Sequence, residues 1–152
     1  MTRIEKSIEI KAPPEKVWEM LAFDKAVEWM DEMEWESVKY TSEVRTPEDK
    51  YRVGTSAHIT EKHAEYDCEI TESIKNEKIT HRFHEKIFRG TLTALATYTL
   101  EPVEAETKFT YVADYEMPWG ILGKFLDKLF IHRVIEKEVG TELENLKSIL
   151  EK

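Results

Sequence analysis

The sequence has one cysteine and no long apolar run. Among its 152 residues, Cys68 finds no second cysteine for an internal disulfide, which is typical of a reducing compartment. No stretch of about 18 apolar residues occurs, so we expect no transmembrane helix. The first ten residues alternate charged and apolar side chains and lack the unbroken apolar core of a signal peptide. These absences together predict a cytoplasmic protein.

The sequence also lacks a cluster of lysine and arginine. It carries 22 basic and 31 acidic residues, for a formal net charge of −9. A field of that sign repels the phosphates of nucleic acids and of anionic membrane surfaces. We therefore expect no nucleic-acid partner and no membrane insertion. A homodimer is compatible with the sequence, but no surface patch specifies one.

Motifs of metal sites, cofactor-binding loops and nucleophilic enzymes are missing as well. No HExxH and no paired Cys/His spacing is present. His81 and His84 fall on opposite faces of one predicted strand, and His58 and His63 on different faces of one hairpin. No nucleophile elbow, phosphate-binding glycine loop or dinucleotide fingerprint occurs either. We expect no metal ion and no cofactor.

What the sequence does contain is the material for one core. Hydrophobic residues make up 41% and charged residues 35%, a balance typical of globular proteins. No repeat, low-complexity tract or linker interrupts the chain, so we expect a single domain over residues 1–152.

Alternating apolar and polar side chains dominate the first three quarters of the chain. Residues 3–11 alternate as a half-buried strand, and two short helical patterns follow, at "APPEKVWEML" and at about residues 24–30. From Trp35 to Tyr115 successive strands alternate, including "YRVGTSAHIT", which places Val53 on the inner face. About six to seven strands with one dry face indicate a curved antiparallel sheet.

The final quarter predicts a long helix, from about residue 119 to residue 150, roughly 45 Å in length. Its first half presents one apolar face and its second half another, rotated somewhat from the first. Because the helix is too apolar to stand alone, we expect both faces to pack on the dry side of the sheet. Gly120 and Gly123 lie at its start, where a missing side chain allows close approach to the sheet.

The order of these elements resembles the START-like, or helix-grip, superfamily. "IEIKAPPEKVWEML" resembles its opening strand and first helix, "YRVGTSAHI" a glycine-containing strand, and "ATYTLEPVEAETKFTY" its penultimate hairpin. "LGKFLDKLFIHRVIEKEVGTELENLKSILE" resembles its closing helix. The resemblance covers essentially the whole chain and is strongest to the polyketide cyclase/dehydrase-like branch. It implies an α+β helix-grip fold, in which the sheet wraps around the C-terminal helix and a cavity between them binds apolar or aromatic molecules.

Polar side chains on both predicted inner surfaces are the candidates for contact with such a ligand. His81 and Glu85 interrupt the apolar face of one strand, and His132 and Glu136 lie four residues apart in the apolar sector of the helix. Because unpartnered buried polar groups are costly, they form either a satisfied internal network or a partly wet pocket. His81 and His132 are also the candidates for proton transfer.

The remaining candidates are aromatic and apolar. Inward tyrosines combine an apolar body with a hydroxyl tip, which suits a pocket, although tyrosine is also common in ordinary sheets. Trp29 is placed at one end of the cavity, and Met117 and Trp119 are placed at its entrance. The candidate ligand-binding set also includes Tyr66, Phe83, Tyr98, Tyr111, Tyr115, Leu122, Phe125 and Leu129.

Three functions remain open on this basis. The first is binding of an apolar or aromatic small molecule, lipid-like or polyketide-like. The second is a cyclase or dehydratase in which a cavity histidine or tyrosine moves a proton. The third is a protein-interaction module resembling the activators of heat-shock ATPases, since the superfamily includes all of these classes.

Overall fold

A computed structural model describes residues 2–30, 35–61, 65–87 and 89–152, apart from the side chains of residues 35–37 and 61. Within these residues, seven strands form one antiparallel sheet in the order β1-β7-β6-β5-β4-β3-β2. The strands are β1 (Thr2–Ile10), β2 (Trp35–Tyr40), β3 (Ser56–Glu61), β4 (Glu65–Ile74), β5 (Lys78–Ile87), β6 (Gly90–Val103) and β7 (Glu106–Glu116).

Helical segments follow the first strand and the last. The chain leaves β1 through Pro13 and enters α1 (Pro14–Glu19), where Pro14 occupies a first-turn position that needs no N–H. A short α2 (Phe23–Ala26) and a 3-10 turn (Pro47–Tyr51) come next. After β7 the C-terminal helix consists of α3 (Gly120–Leu126), a π turn (Asp127–Ile131) and α4 (His132–Leu150). The helix-grip fold and the two short helices are confirmed.

The core lies between the dry face of the sheet and the helices. Along β7 the alternation is complete, with Phe109, Tyr111, Ala113 and Tyr115 all buried. α4 covers this face with its buried residues Val139, Leu143 and Leu146. The inward placement of Val53 is wrong, because β3 begins only at Ser56 and Val53 is 55% exposed in the preceding turn.

The first half of the C-terminal helix faces the opposite way from the prediction. Leu122 and Phe125 are both 59% exposed and Leu129 is 45% exposed, so this apolar face does not pack on the sheet. Its inner side instead carries the buried residues Gly123 and Asp127. The predicted contact of Leu122, Phe125 and Leu129 with the sheet is therefore wrong.

The π turn explains the difference. A regular helix turns 100° per residue and would place Phe125 within about 40° of the buried Val139. A π turn advances by roughly 80° per residue, about 20° less than a regular α-helix. Over the five residues of Asp127–Ile131 this difference rotates the preceding part of the helix by about 100° relative to α4. That shift carries Phe125 to the solvent side and brings Asp127 to the inner side.

No helix in the described part of the chain combines the length and apolarity needed to cross a membrane.

Candidate functional site

A cluster of aromatic rings fills the interior between the sheet and α4, and His81 lies within it. The His81 ring is fully buried, with its centroid 4.6 Å from that of Phe23, 5.3 Å from that of Tyr98 and 6.0 Å from that of Phe83. β5 directs His81 inward because it shares the period-two face of Ile79. An imidazole thus lies in an environment that is otherwise apolar and aromatic.

His81 has hydrogen-bonding capacity that the fold leaves unused. Among the described residues, neither of its ring nitrogens makes a hydrogen bond of normal geometry, although the Leu21 backbone lies close enough to act on the ring. Burial lowers the pKa of His81 to about 3, and the Leu21 backbone only partly opposes this shift. The ring is therefore neutral near pH 7, with one nitrogen able to donate and the other able to accept.

Tyr98 is the second buried polar group of this cluster. Its hydroxyl also makes no hydrogen bond of normal geometry among the described residues, although the Tyr111 hydroxyl lies close enough to influence its pKa. The Tyr98 ring lies edge-on to Tyr111, with centroids 4.8 Å apart, and the two residues are directly paired between β6 and β7. Burial, and then the charge of Glu142 on α4, raise the pKa of both hydroxyls well above the usual value. Both tyrosines are therefore protonated and able to donate.

Beside these polar groups, the dry face of the sheet carries small side chains. Three alanines of β6 and β7, which we call the alanine floor, lie next to one another: Ala94, Ala96 and Ala113. Across the neighbouring strands, Ala96 pairs with His81 and Ala94 with Phe83 and Tyr115. Directly paired residues point to the same face of an antiparallel sheet. The alanine floor is therefore a low area on the dry face, bordered by large side chains.

Trp29 lies in the core, at the far end of the aromatic cluster. It is fully buried, and its ring meets Tyr98 and Phe109 edge-on at centroid distances of 5.6 and 6.3 Å. Its indole N–H donates to the carbonyl of Met20 at 2.8 Å. The indole N–H of Trp29 thus already has an acceptor within the protein, and the ring packs on Tyr98 from the side of the short helices.

Tyr66 and Glu85 lie along the same face, closer to the sheet edge. They are directly paired between β4 and β5, and Glu85 also pairs with Leu92 of β6. Tyr66, Glu85 and Phe83 are half-buried, in contrast to His81. The strand register thus brings four of the predicted site residues, Tyr66, His81, Phe83 and Glu85, into adjacent rows.

A separate polar cleft of about 520 Å³ opens where β7 ends and α3 begins. The buried carboxylate of Asp127 accepts hydrogen bonds from the Tyr115 hydroxyl and the Thr2 hydroxyl at its base. Burial and this bond to Asp127 raise the pKa of Tyr115. Met117 and Lys124 also line the cleft. Met117 therefore lies at an opening of the protein surface.

Pro118 fixes the turn that follows Met117. A methyl group at Gly123 would come within 2.0 Å of the Pro118 carbonyl oxygen, and one at Gly90 within 2.6 Å of the Pro118 ring. Pro118 is therefore held between two glycines. Trp119, half-buried, adopts a left-handed conformation with φ of 74° immediately before α3. Close approach does occur at Gly123, but to the preceding turn and not to the sheet as predicted, and a methyl group at Gly120 would meet nothing within 4 Å.

The structure places His132 and Glu136 at the border of α4 rather than in the aromatic cluster. Their closest charged atoms are 3.8 Å apart, and both side chains are more than 40% exposed. Glu136 also approaches Lys6 on the edge strand β1, at 3.9 Å. β1 lies three strands from β5, which carries His81. The pair is thus a solvent-exposed polar contact, of the kind that contributes little to stability.

Two acidic residues of this region were missed by the sequence reasoning. Glu142 is buried on α4, and its position between Val139 and Leu146 of the apolar stripe was a signal that could have found it. Asp127 carried no such signal, because only the π turn brings it inside. The described residues contain no group of three His, Cys, Asp or Glu side chains arranged to hold a metal ion.

Comparison with known proteins decides the family. The sequence profile of the family described as polyketide cyclase / dehydrase and lipid transport matches residues 1–151. The chain belongs to this family. The predicted START-like superfamily and its polyketide cyclase/dehydrase-like branch are confirmed. A search of curated proteins found no match.

Solved structures share the fold of this chain. A protein from Mesorhizobium loti is 18% identical with a TM-score of 0.74, over 99% of this chain and 97% of that one. The Aha1 dimer from Colwellia psychrerythraea is 19% identical with a TM-score of 0.67, over 99% and 96%. A protein from Thermus thermophilus is 18% identical with a TM-score of 0.67, over 97% and 95%. At these identities the likeness concerns the fold alone.

Proposed function

We propose that the protein binds an apolar or aromatic small molecule that carries a hydrogen-bonding group. The ligand lies over the alanine floor, between the sheet and the C-terminal helix, and its polar group reaches His81 and Tyr98. The observation that carries this proposal is the pair of fully buried polar side chains, His81 and Tyr98, for which the described residues provide no hydrogen bond of normal geometry. Leaving such groups unsatisfied costs about 1–3 kcal/mol each, which a ligand recovers.

The surroundings of His81 and Tyr98 match such a ligand. Aromatic rings of Phe23, Phe83 and Tyr111 supply apolar contact and edge-to-face geometry around the polar atoms. Pockets for small molecules are typically apolar with a few polar groups that fix orientation. Lipid transport in the family description agrees with this class of ligand.

The protonation states of the cluster favour binding over proton transfer. A general acid or base works best when its pKa lies near the working pH. The His81 pKa of about 3 and the raised pKa values of Tyr98 and Tyr111 lie far from neutrality on opposite sides. These groups donate and accept hydrogen bonds at neutral pH without changing charge. Ligand binding is therefore favoured over cyclase or dehydratase activity; a protein-interaction role is the third candidate.

Native mass spectrometry of the gently purified protein tests the proposal. We expect the wild-type chain to carry a small apolar molecule that dissociates on collisional activation. His81→Leu removes the polar contact while keeping a side chain of similar volume, and we expect it to lose the molecule. Protein that carries nothing, and that retains nothing after incubation with a lipid extract, would refute the proposal.

A further inference from the structure

The outward face of α3, the π turn and the first turn of α4 carries six large apolar side chains, which we call the outer apolar face. Their exposed fractions range from 45% for Leu129 to 87% for Ile121. Contiguous exposed apolar surface of this kind marks a binding surface, whereas single exposed residues such as Val53 and Val103 do not. The outer apolar face consists of Ile121, Leu122, Phe125, Leu129, Phe130 and Val134.

The inner side of the same segment holds this face outward. Asp127 is fixed to β1 and β7 by its bonds from Thr2 and Tyr115. Gly123 lies against the Pro118 carbonyl, where no side chain fits. Turning the apolar residues inward would break the first contact and place a side chain at the second. The exposed orientation is therefore built into the fold.

The charge of this segment is opposite to that of the whole protein. Residues 120–134 contain three basic residues, Lys124, Lys128 and Arg133, all exposed, and one acidic residue, Asp127, which is buried. Their formal charge is +3 − 1 = +2, in a chain whose net charge is −9. The solvent-facing surface of the segment thus combines large apolar side chains with cations alone.

We propose that the outer apolar face docks on an anionic lipid surface. Helices that lie in a bilayer interface have this composition: Phe and Leu enter the boundary of headgroups and acyl chains, and flanking Lys and Arg meet anionic headgroups. The net charge of −9 predicts repulsion from anionic membranes. At residues 120–134 this prediction does not apply, because the exposed charged side chains there are all cations. The docked helix lies along the surface and does not cross it.

A second copy of the chain fits this face less well. A two-fold contact between two outer apolar faces places the same cations, Lys124, Lys128 and Arg133, around one small interface. Exposed acidic side chains are missing from residues 120–134, so the cations of each copy find no partner in the same segment of the other. An anionic lipid surface supplies that complement.

Vesicle flotation with the full chain tests the docking. We expect wild-type protein to float with phosphatidylcholine vesicles that contain phosphatidylglycerol, and to bind pure phosphatidylcholine vesicles more weakly. Phe125→Ser with Phe130→Ser should weaken binding at least about ten-fold, because two inserted phenyl rings are lost. Lys124→Gln with Lys128→Gln should weaken binding to the anionic vesicles by about ten-fold or more.

A matched control uses apolar residues exposed elsewhere. Val53→Ser with Val103→Ser should bind vesicles like the wild type, and thermal melting confirms that each variant is folded. Folded wild-type protein that does not float with anionic vesicles overturns the proposal, as does full binding by the Phe125/Phe130 variant. A wild-type dimer that this variant dissociates, without vesicle binding, assigns the face to a second copy instead. The proposal is independent of the internal ligand, because flotation requires no occupied cavity.

Discussion

His81 places a titratable ring where it has no exposure to solvent and makes no hydrogen bond of normal geometry with the described residues. Its pKa of about 3 lies below the value of about 6.5 expected in the unfolded chain. The unfolded state therefore takes up a proton as the pH falls through 6.5, while the folded state does so only near 3. The contribution of His81 to stability is complete above about pH 6.5 and is lost as the pH falls towards 3, by at most about 1.4 kcal/mol per pH unit.

The corresponding experiment compares the pH dependence of unfolding in two variants. His81→Leu should make the free energy of unfolding fall less steeply between about pH 7 and pH 4 than in the wild type. Tyr98→Phe changes the neighbouring buried group without removing a group that titrates in this range, so it should keep the wild-type slope. Urea unfolding at several pH values measures both. Equal slopes in His81→Leu and the wild type would show that His81 is not held neutral.

Tyr98 permits a prediction that separates binding from stability. Since its hydroxyl makes no hydrogen bond of normal geometry with the described residues, Tyr98→Phe should leave stability unchanged or raise it by up to about 3 kcal/mol. Each kcal/mol corresponds to about 2–4 °C in melting temperature at this size. The same change should weaken ligand binding.

Tyr115→Phe is the matched control, because it removes a hydroxyl that donates to the buried Asp127. That change should lower the melting temperature. If Tyr98→Phe were as destabilising as Tyr115→Phe, the Tyr98 hydroxyl would have a partner in the folded protein.

At the scale of single residues, the sequence predicted side-chain direction where a strand was regular. The two-residue period of β5 and β6 placed His81 and Tyr98 inward, and both are buried. The same pattern could not reveal that these groups make no hydrogen bond of normal geometry, because that depends on which side chains other elements bring near them. The burial of Asp127 was not predicted for a related reason, because it depends on the π turn, a local change of helical pitch.

Among the elements, the C-terminal helix was predicted correctly, but one π turn changes which face of its first half is buried. Its existence and its amphipathic second half were predicted, and Val139, Leu143 and Leu146 are buried. The first half was predicted with the wrong face inward, because a wheel of constant pitch cannot anticipate a π turn. The π turn places Phe125 on the solvent side and thereby creates the outer apolar face.

Glycines at the start and in the interior of this helix should respond oppositely to alanine. Gly123→Ala places a methyl group 2.0 Å from the Pro118 carbonyl oxygen, so the turn before α3 must move, at a cost of about 1–3 kcal/mol. At Gly140, in the interior of α4, the methyl group would meet only the flexible end of Lys6 at 3.4 Å. Gly140→Ala should therefore stabilise the protein by up to about 1 kcal/mol.

Thermal melting of the two alanine variants, at one pH and buffer, measures this contrast. A Gly123→Ala protein as stable as the wild type would mean that α3 does not lie against Pro118.

For the whole molecule, strand alternation and element order predicted the sheet, the two short helices and the gripping arrangement. The alanine floor was not predicted as a site, although its members were placed inward, because its meaning lies in the register between β6 and β7. Ala96 and Ala113 are directly paired there, beside His81 on β5. The pattern of one strand cannot show that small residues on two neighbouring strands lie side by side.

Filling the alanine floor should block the ligand at little cost to the fold. Ala96→Leu adds a side chain where we place the ligand, so the co-purified molecule should be lost. Ala96 is as buried as Ala26, so a stability change of less than about 1 kcal/mol is expected only because the ligand, and not protein, covers it. Ala26→Leu, in the packed core of α2, is the control and should cost about 1–3 kcal/mol. Melting temperature and native mass spectrometry report the two effects separately. Comparable destabilisation by both variants would indicate that the floor is already filled by protein.

A crystal structure of the gently purified protein with its co-purified molecule tests the central claim most directly. We predict electron density over Ala94, Ala96 and Ala113, with a polar ligand atom about 3 Å from a ring nitrogen of His81 or from the Tyr98 hydroxyl. A ligand bound elsewhere, with side chains packed over the alanine floor and protein partners satisfying His81 and Tyr98, would contradict it.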